Sequence, residues 1–213
     1  MAERIAGMGP GERRLNGLQT TGREYANLSE PSFAMRRANN VEISVRDGTT
    51  LLADLFQPDS GGAFPALVSF SPYPRQIQDV GAPLGFIEAG ASDFFVPRGY
   101  VHLIVNARGT GGSGGVYSFL DQQEQEDLYD LVEWAAAQPW CDGNVGMLGV
   151  SYFAMAQLGA AAMKPPHLKA IAPLLTTDDV YDAVWHHGLL NAGFISAWLP
   201  ALGVMSQKPD SFW

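Results

Sequence analysis

Four short runs of almost unbroken apolar residues constrain this chain more than anything else in it: Ala66 to Phe70, Val101 to Val105, Val145 to Val150 and Leu168 to Ala172. A strand that is apolar on both faces has no solvent side, so it belongs in a parallel sheet covered by helices. Helical patterns separate the later runs. Asp121 to Gln138 sets Leu128, Leu131, Val132 and Ala135 on one stripe, and Tyr152 to Met163 is small and apolar, as a helix buried against a sheet should be. Upstream, Val41 to Val45 alternates, Asp47-Gly48 turns, and Thr50 to Phe56 runs apolar again, which predicts an antiparallel hairpin. Together these predict an α/β fold, a mostly parallel sheet flanked by helices. Residues 1–40 show no periodicity and read as an N-terminal arm, ahead of a core over 41–188 and a further segment over 189–213.

Composition removes several classes of function. Of 213 residues 46% are hydrophobic, enough for a large core. The net charge is −9, and the first 40 residues, with six Arg and four Glu, carry +2, which leaves −11 on the rest. Such a body repels phosphate backbones, so nucleic acid is excluded as a partner. The lone Cys141 rules out an internal disulfide, and no apolar h-region opens the chain, so the expectation is a cytoplasmic protein. Leu189 to Met205 is the most membrane-like stretch, but Asn191, Gly193, Ser196 and Pro200 interrupt its 17 residues. A buried helix pair that something must cover is the better reading, and no membrane partner is expected. Six acids between Asp121 and Glu133, with no base among them, read as a solvated helix face rather than a metal site.

Two glycine-bearing motifs compete for the chemistry. Gly109-Thr-Gly-Gly-Ser-Gly114 fits a dinucleotide fingerprint, but Val116 to Leu120 intervenes before the next helix, so no helix N-terminus faces the loop. It reads as a connecting loop, and no cofactor is implied. Gly149-Val-Ser-Tyr-Phe-Ala154 lies between a strand and a helix. A serine on so sharp a turn presents its hydroxyl outward, and the following amide, that of Tyr152, points where an oxyanion forms. Phe153 stands where the usual G-x-S-x-G ends in Gly, and a plain helix cap at Ser151 is the alternative.

Around that serine the sequence resembles the cocaine esterase/X-prolyl dipeptidyl-peptidase group of α/β-hydrolases. The likeness runs through Val45-Arg-Asp-Gly48, Ser71-Pro-Tyr73, Phe95-Val-Pro-Arg-Gly-Tyr100, Ala107-Arg-Gly-Thr110, Trp134, Gln138 to Gly146, Gly149-Val-Ser-Tyr152 and Pro166-His-Leu-Lys-Ala170. It implies an α/β-hydrolase fold with Ser151 as nucleophile. It also implies that the Tyr73 hydroxyl completes an oxyanion hole with the Tyr152 backbone N–H, and that Trp185 and Trp198 line the acyl pocket; core packing is the alternative for either tryptophan. Members of the group commonly carry Asp where this chain has Asn106.

The resemblance also implies an incomplete fold, with about six of eight strands, and a cap only beginning over 189–213. The triad Asp and His are expected outside this chain. Within it, His102 sits in a buried strand and His167 lies at the far end of the sheet. Asp182 and His186 stand i, i+4 on a plausible helix, with His187 beside them, too remote to fold back onto Ser151. Two classes of function follow. One is a serine hydrolase acting on a small ester, amide or X-Pro peptide through an acyl-enzyme, completed by a C-terminal continuation or a separate polypeptide, with a homo-oligomer or a complementing C-terminal polypeptide as the partners to expect. The other is a non-catalytic α/β fragment that needs a partner.

Overall fold

The computed structural model describes residues 3–4, 29–79 and 88–205. Its strands are β1 (Glu3–Arg4), β2 (Met35–Ser44), β3 (Thr50–Pro58), β4 (Phe64–Ser71), β5 (Val101–Asn106), β6 (Cys141–Val150) and β7 (Leu168–Leu174). They form one sheet in the order β1-β2-β3-β5-β4-β6-β7. The pairings of β2 with β3 and of β3 with β5 are antiparallel; β5, β4, β6 and β7 run parallel. This is an antiparallel hairpin feeding a parallel sheet, with six long strands as expected. The hairpin starts at Met35, inside the stretch read as arm, and most of that arm lies outside the described residues.

Helices α1 (Arg75–Asp79) and α2 (Ser92–Phe95) fall between β4 and β5; α3 (Gln122–Ala136) precedes β6, and α4 (Tyr152–Met163) follows it. Asp121 caps α3, accepting from the Glu124 amide at 2.9 Å. The stripe Leu128, Leu131, Val132 and Ala135 packs with Ala156 and Ala160 of α4 onto Val68, Phe70, Leu103 and Val105. On the sheet's other face Phe56 and Ile104 meet Ala89, Val96 and Phe153.

The acidic helix departs from the sequence reading. Its acids are paired rather than simply solvated: Arg46 grips Asp130 through Nε at 2.9 Å and Nη2 at 2.7 Å, and Arg108 grips the fully buried Asp127 at 2.9 and 2.6 Å. The bases come from loops that the sheet order brings across, which local charge counting cannot reveal. No group of three or more potential ligands is placed for a metal among the described residues.

The C-terminal part departs further. After β7 come α5 (Val180–Val184), the short hairpin β8 (Trp185–His186) and β9 (Leu189–Leu190), and α6 (Ala192–Met205). Instead of a buried helix pair there is one helix, which buries Ile195 and Leu202 while Phe194, Leu199 and Val204 stay about half exposed. Leu175 and Leu189 are 86% and 76% exposed. β7 itself alternates between partly buried and exposed positions, because it is the sheet's edge and no described element covers its outer side. No described helix is long and apolar enough to cross a membrane.

Candidate active site

The turn between β6 and α4 places a non-glycine residue at positive φ. Ser151 holds φ 63°, ψ −121°, a region that L-residues avoid. Its backbone is tied on both sides: its N–H donates to Leu174 O at 3.1 Å, and its carbonyl accepts from Ala154 and Met155 at 2.9 and 3.0 Å. The side chain makes no capping bond, so the helix-cap alternative fails. Gly149, at φ 139°, makes the turn feasible, since a Cβ there would overlap Phe153 and press on the Glu88 carbonyl. The Phe153 ring goes into the core beside Ile104, so the departure from G-x-S-x-G is accommodated away from the turn.

Tyr152 divides its two ends. Its amide is among the first of α4, whose N–H groups have no acceptor within the helix. Its side chain is wholly buried and points elsewhere: the hydroxyl accepts from Tyr117 at 3.0 Å and donates to Glu124 Oε2 at 2.8 Å. Burial pushes the Glu124 carboxyl up to about 8, so it is mostly protonated at neutral pH. Glu124 is thus a buried acid rather than part of a solvated helix face.

Tyr73, in the loop after β4, lies above this turn. Its ring meets Tyr152 and Phe153 edge-on, each with centroids 6.0 Å away. Burial raises its phenol above the usual tyrosine range; the Trp198 indole, 2.9 Å from its oxygen, and the neighbouring Ser151 hydroxyl oppose that rise. The loop is pinned from below by Asn106 at the end of β5, which donates to the Tyr73 carbonyl at 2.7 Å and accepts from Arg75 Nη1 at 2.6 Å. The guanidinium can only donate and the Tyr73 carbonyl can only accept, so the amide has one orientation. Arg75, 1% exposed, also reaches Asn40 Oδ1 at 2.7 Å and Asp54 at 3.3 Å. Sequence inspection registered Asn106 only as a departure from the pattern; the amide's role needed the fold.

The glycine-rich loop holds this framework from the side. Gly109 N–H closes it onto Gly114 O at 2.8 Å, Ser113 Oγ donates to Asn106 O at 3.0 Å, and a Cβ at Gly111 would overlap the Asn106 amide. α3 starts at Gln122, well beyond the loop, which serves as a connector.

The two tryptophans part company. Trp198 of α6 donates its Nε1–H to the Tyr73 hydroxyl at 2.9 Å and sits between Phe119, edge-on at 5.7 Å, and Phe194, stacked at 5.5 Å. Trp185 sits on the β8–β9 hairpin, 38% exposed and stacked on Tyr181. The histidines also disperse. His102 is fully buried between Ser69 Oγ at 3.0 Å and Ser92 Oγ at 2.8 Å, and burial pushes its imidazole down to about 4. His167 is paired with Glu133 at 2.7 Å, beside the N-terminal end of β7. Asp182 and His186 do not share a helix, because α5 ends at Val184 and His186 belongs to β8; His187 is exposed. Among the described residues no histidine is hydrogen-bonded to Ser151.

Residues 47–211 match the family model described as X-Pro dipeptidyl-peptidase (S15 family). A cocaine esterase of Rhodococcus sp. (strain MB1 Bresler) is 37% identical over 183 residues, 82% of this chain and 30% of its own length. A putative Xaa-Pro dipeptidyl-peptidase of Bacillus anthracis is 28% identical over 151 residues, 58% of this chain and 25% of its own length. Among solved structures, a CocE/NonD family hydrolase from Staphylococcus aureus superposes with a TM-score of 0.76 at 34% identity, covering 83% of this chain and 34% of that one. The chain thus spans between 25% and 34% of the length of these three proteins.

Proposed function

Since the chain belongs to the X-Pro dipeptidyl-peptidase (S15) family, we propose that it carries the nucleophile half of a serine hydrolase that cleaves an ester or amide through an acyl-enzyme. The observation that carries this reading is Ser151, held at positive φ between β6 and α4 with its hydroxyl uncommitted to a cap. Ser151 Oγ attacks the substrate carbonyl, and the oxyanion takes hydrogen bonds from the Tyr152 amide and the Tyr73 hydroxyl. One such donor contributes about 3–4 kcal/mol in the transition state. Collapse expels the alcohol or amine, and water then releases the acid. The base that takes the serine proton, and the carboxylate that orients it, come from a continuation of the chain or a complementing polypeptide. Phe119, Phe194 and Trp198 supply an aromatic wall for the acyl group, and α6 begins the cap.

A second reading is a non-catalytic fragment. It is favoured by the exposed apolar side chains after β7 and by the absence of a described histidine bonded to Ser151. Fluorophosphonate labelling of the 213-residue chain, alone and with a candidate acid- and histidine-bearing segment, separates the two. Labelling that appears on complementation and vanishes in Ser151→Ala supports the hydrolase. Failure of every complemented form to label at Ser151 leaves the fragment reading.

A further inference from the structure

Tyr73 and Trp198 lie 125 residues apart in the chain, yet the only polar atom of the indole is spent on the phenol oxygen, at 2.9 Å. The contact is well supported on the tryptophan side. α6 is seated by Ile195 and Leu202, both about 95% buried, and Trp198 lies on the same stripe between them. Phe194 stacks on one side of the ring and Phe119 meets it edge-on, so the direction of the N–H is set by packing on both sides. An indole N–H donates and cannot accept. The phenol proton of Tyr73 therefore cannot be given to Trp198 and stays available for a second acceptor.

We propose that Trp198 is a positioning residue for oxyanion stabilisation: its indole N–H fixes the Tyr73 oxygen as an acceptor and turns the phenol proton toward Ser151. This rests on the reading of Tyr73 as an oxyanion donor, and it adds a task to the pocket wall that Trp198 also forms. A donor placed on a hydroxyl oxygen strengthens that hydroxyl's own donation, because successive hydrogen bonds polarise one another. It also keeps Tyr73 from rotating its proton away, so less reorganisation is needed when the oxyanion forms. The arrangement links the reaction to the seating of α6: a substrate or partner that displaces the helix loosens the oxyanion donor as well.

The test uses the 213-residue chain labelled with 3-fluorotyrosine, whose phenol titrates lower than that of tyrosine, followed by 19F NMR across pH. The Tyr73 resonance is the one missing from Tyr73→Phe. Trp198→Phe keeps the aromatic wall and removes the donor, so the Tyr73 titration moves up by roughly half a unit to one unit, the scale of one neutral hydrogen bond. Phe194→Leu, which removes stacking and leaves the N–H, moves it by much less. An unmoved titration in Trp198→Phe, or an equal shift in Phe194→Leu, overturns the proposal. In the assembly that turns over substrate, Trp198→Phe lowers kcat roughly tenfold with little change in KM. A raised KM with unchanged kcat makes Trp198 a wall only. Undiminished kcat in Tyr73→Phe sinks the oxyanion reading itself, whatever the titration shows.

Discussion

The two sides of Ser151 are built to different standards. On the Tyr73 side, Tyr152, Phe153, Asn106 and Arg75 are all 1% exposed or less, and the Tyr152 hydroxyl, the Asn106 amide and the Arg75 guanidinium are hydrogen-bonded. From the end of β7 onward, Leu174, Leu175, Leu189, Phe194 and Leu199 are each at least half exposed, and the edge of the sheet is open. On the proposed reading, the oxyanion donors sit on the loop after β4 and on the turn into α4. A serine can therefore be fully oriented by residues that do not include its base.

The largest effect should come from breaking the turn. Gly149→Val places a side chain on φ 139° and against Phe153, and we expect a loss of roughly 4 kcal/mol, strain and overpacking together, in urea unfolding. A loss under ~1 kcal/mol would mean that the elbow is not held as described. Next is acid sensitivity on the well-built side. His102 has a folded value near 4 against 6.5 unfolded, so its contribution is fully present above pH 6.5 and is lost as pH falls to about 4. The full swing is roughly 3 kcal/mol, since each unit is worth about 1.4. A stability profile that stays flat over that window in wild type, or that is no flatter in His102→Gln, would remove His102 as its source.

Asn106→Asp replaces the donor to the Tyr73 carbonyl with an acceptor while keeping a partner for Arg75. About 1–3 kcal/mol of stability should go. Faster hydrogen exchange in the Tyr73 loop, with the β2–β3 hairpin unaffected, would locate the loss; uniform exchange would argue against a local pin. The smallest effect belongs to the open side. Leu175→Ser and Leu189→Ser should each change unfolding by no more than about 0.5 kcal/mol. Both should reduce self-association in sedimentation velocity. A large destabilisation there would show that this surface is already covered.

Much of the framework was legible because its causes are local. The helix from Tyr152 to Met163 is found where its small apolar residues put it, and α3 begins one residue after its Asp121 cap. Ser151 was legible for the same reason: a glycine two residues earlier and a strand-to-helix change form one continuous pattern. The extent of β2 was less so, since Asn39 and Asn40 interrupt its alternation. There the register shifts between Ala38 and Val41, and Asn40, at φ 55°, turns its side chain to Arg75.

By itself, then, the sequence determined the periods, the turn chemistry, the parallel sheet and the serine at its sharpest corner, because strand, helix and turn preferences act over a few neighbouring residues. Only the tertiary structure decided that Glu124 lies buried on Tyr152, that Arg46 and Arg108 pair with Asp130 and Asp127, that Asn106 pins Tyr73 and that Trp198 meets Tyr73. Those pairs span 19 to 125 residues. Strand order and helix seating set which distant side chains meet, and a hydrogen bond needs that meeting to within a few tenths of an ångström.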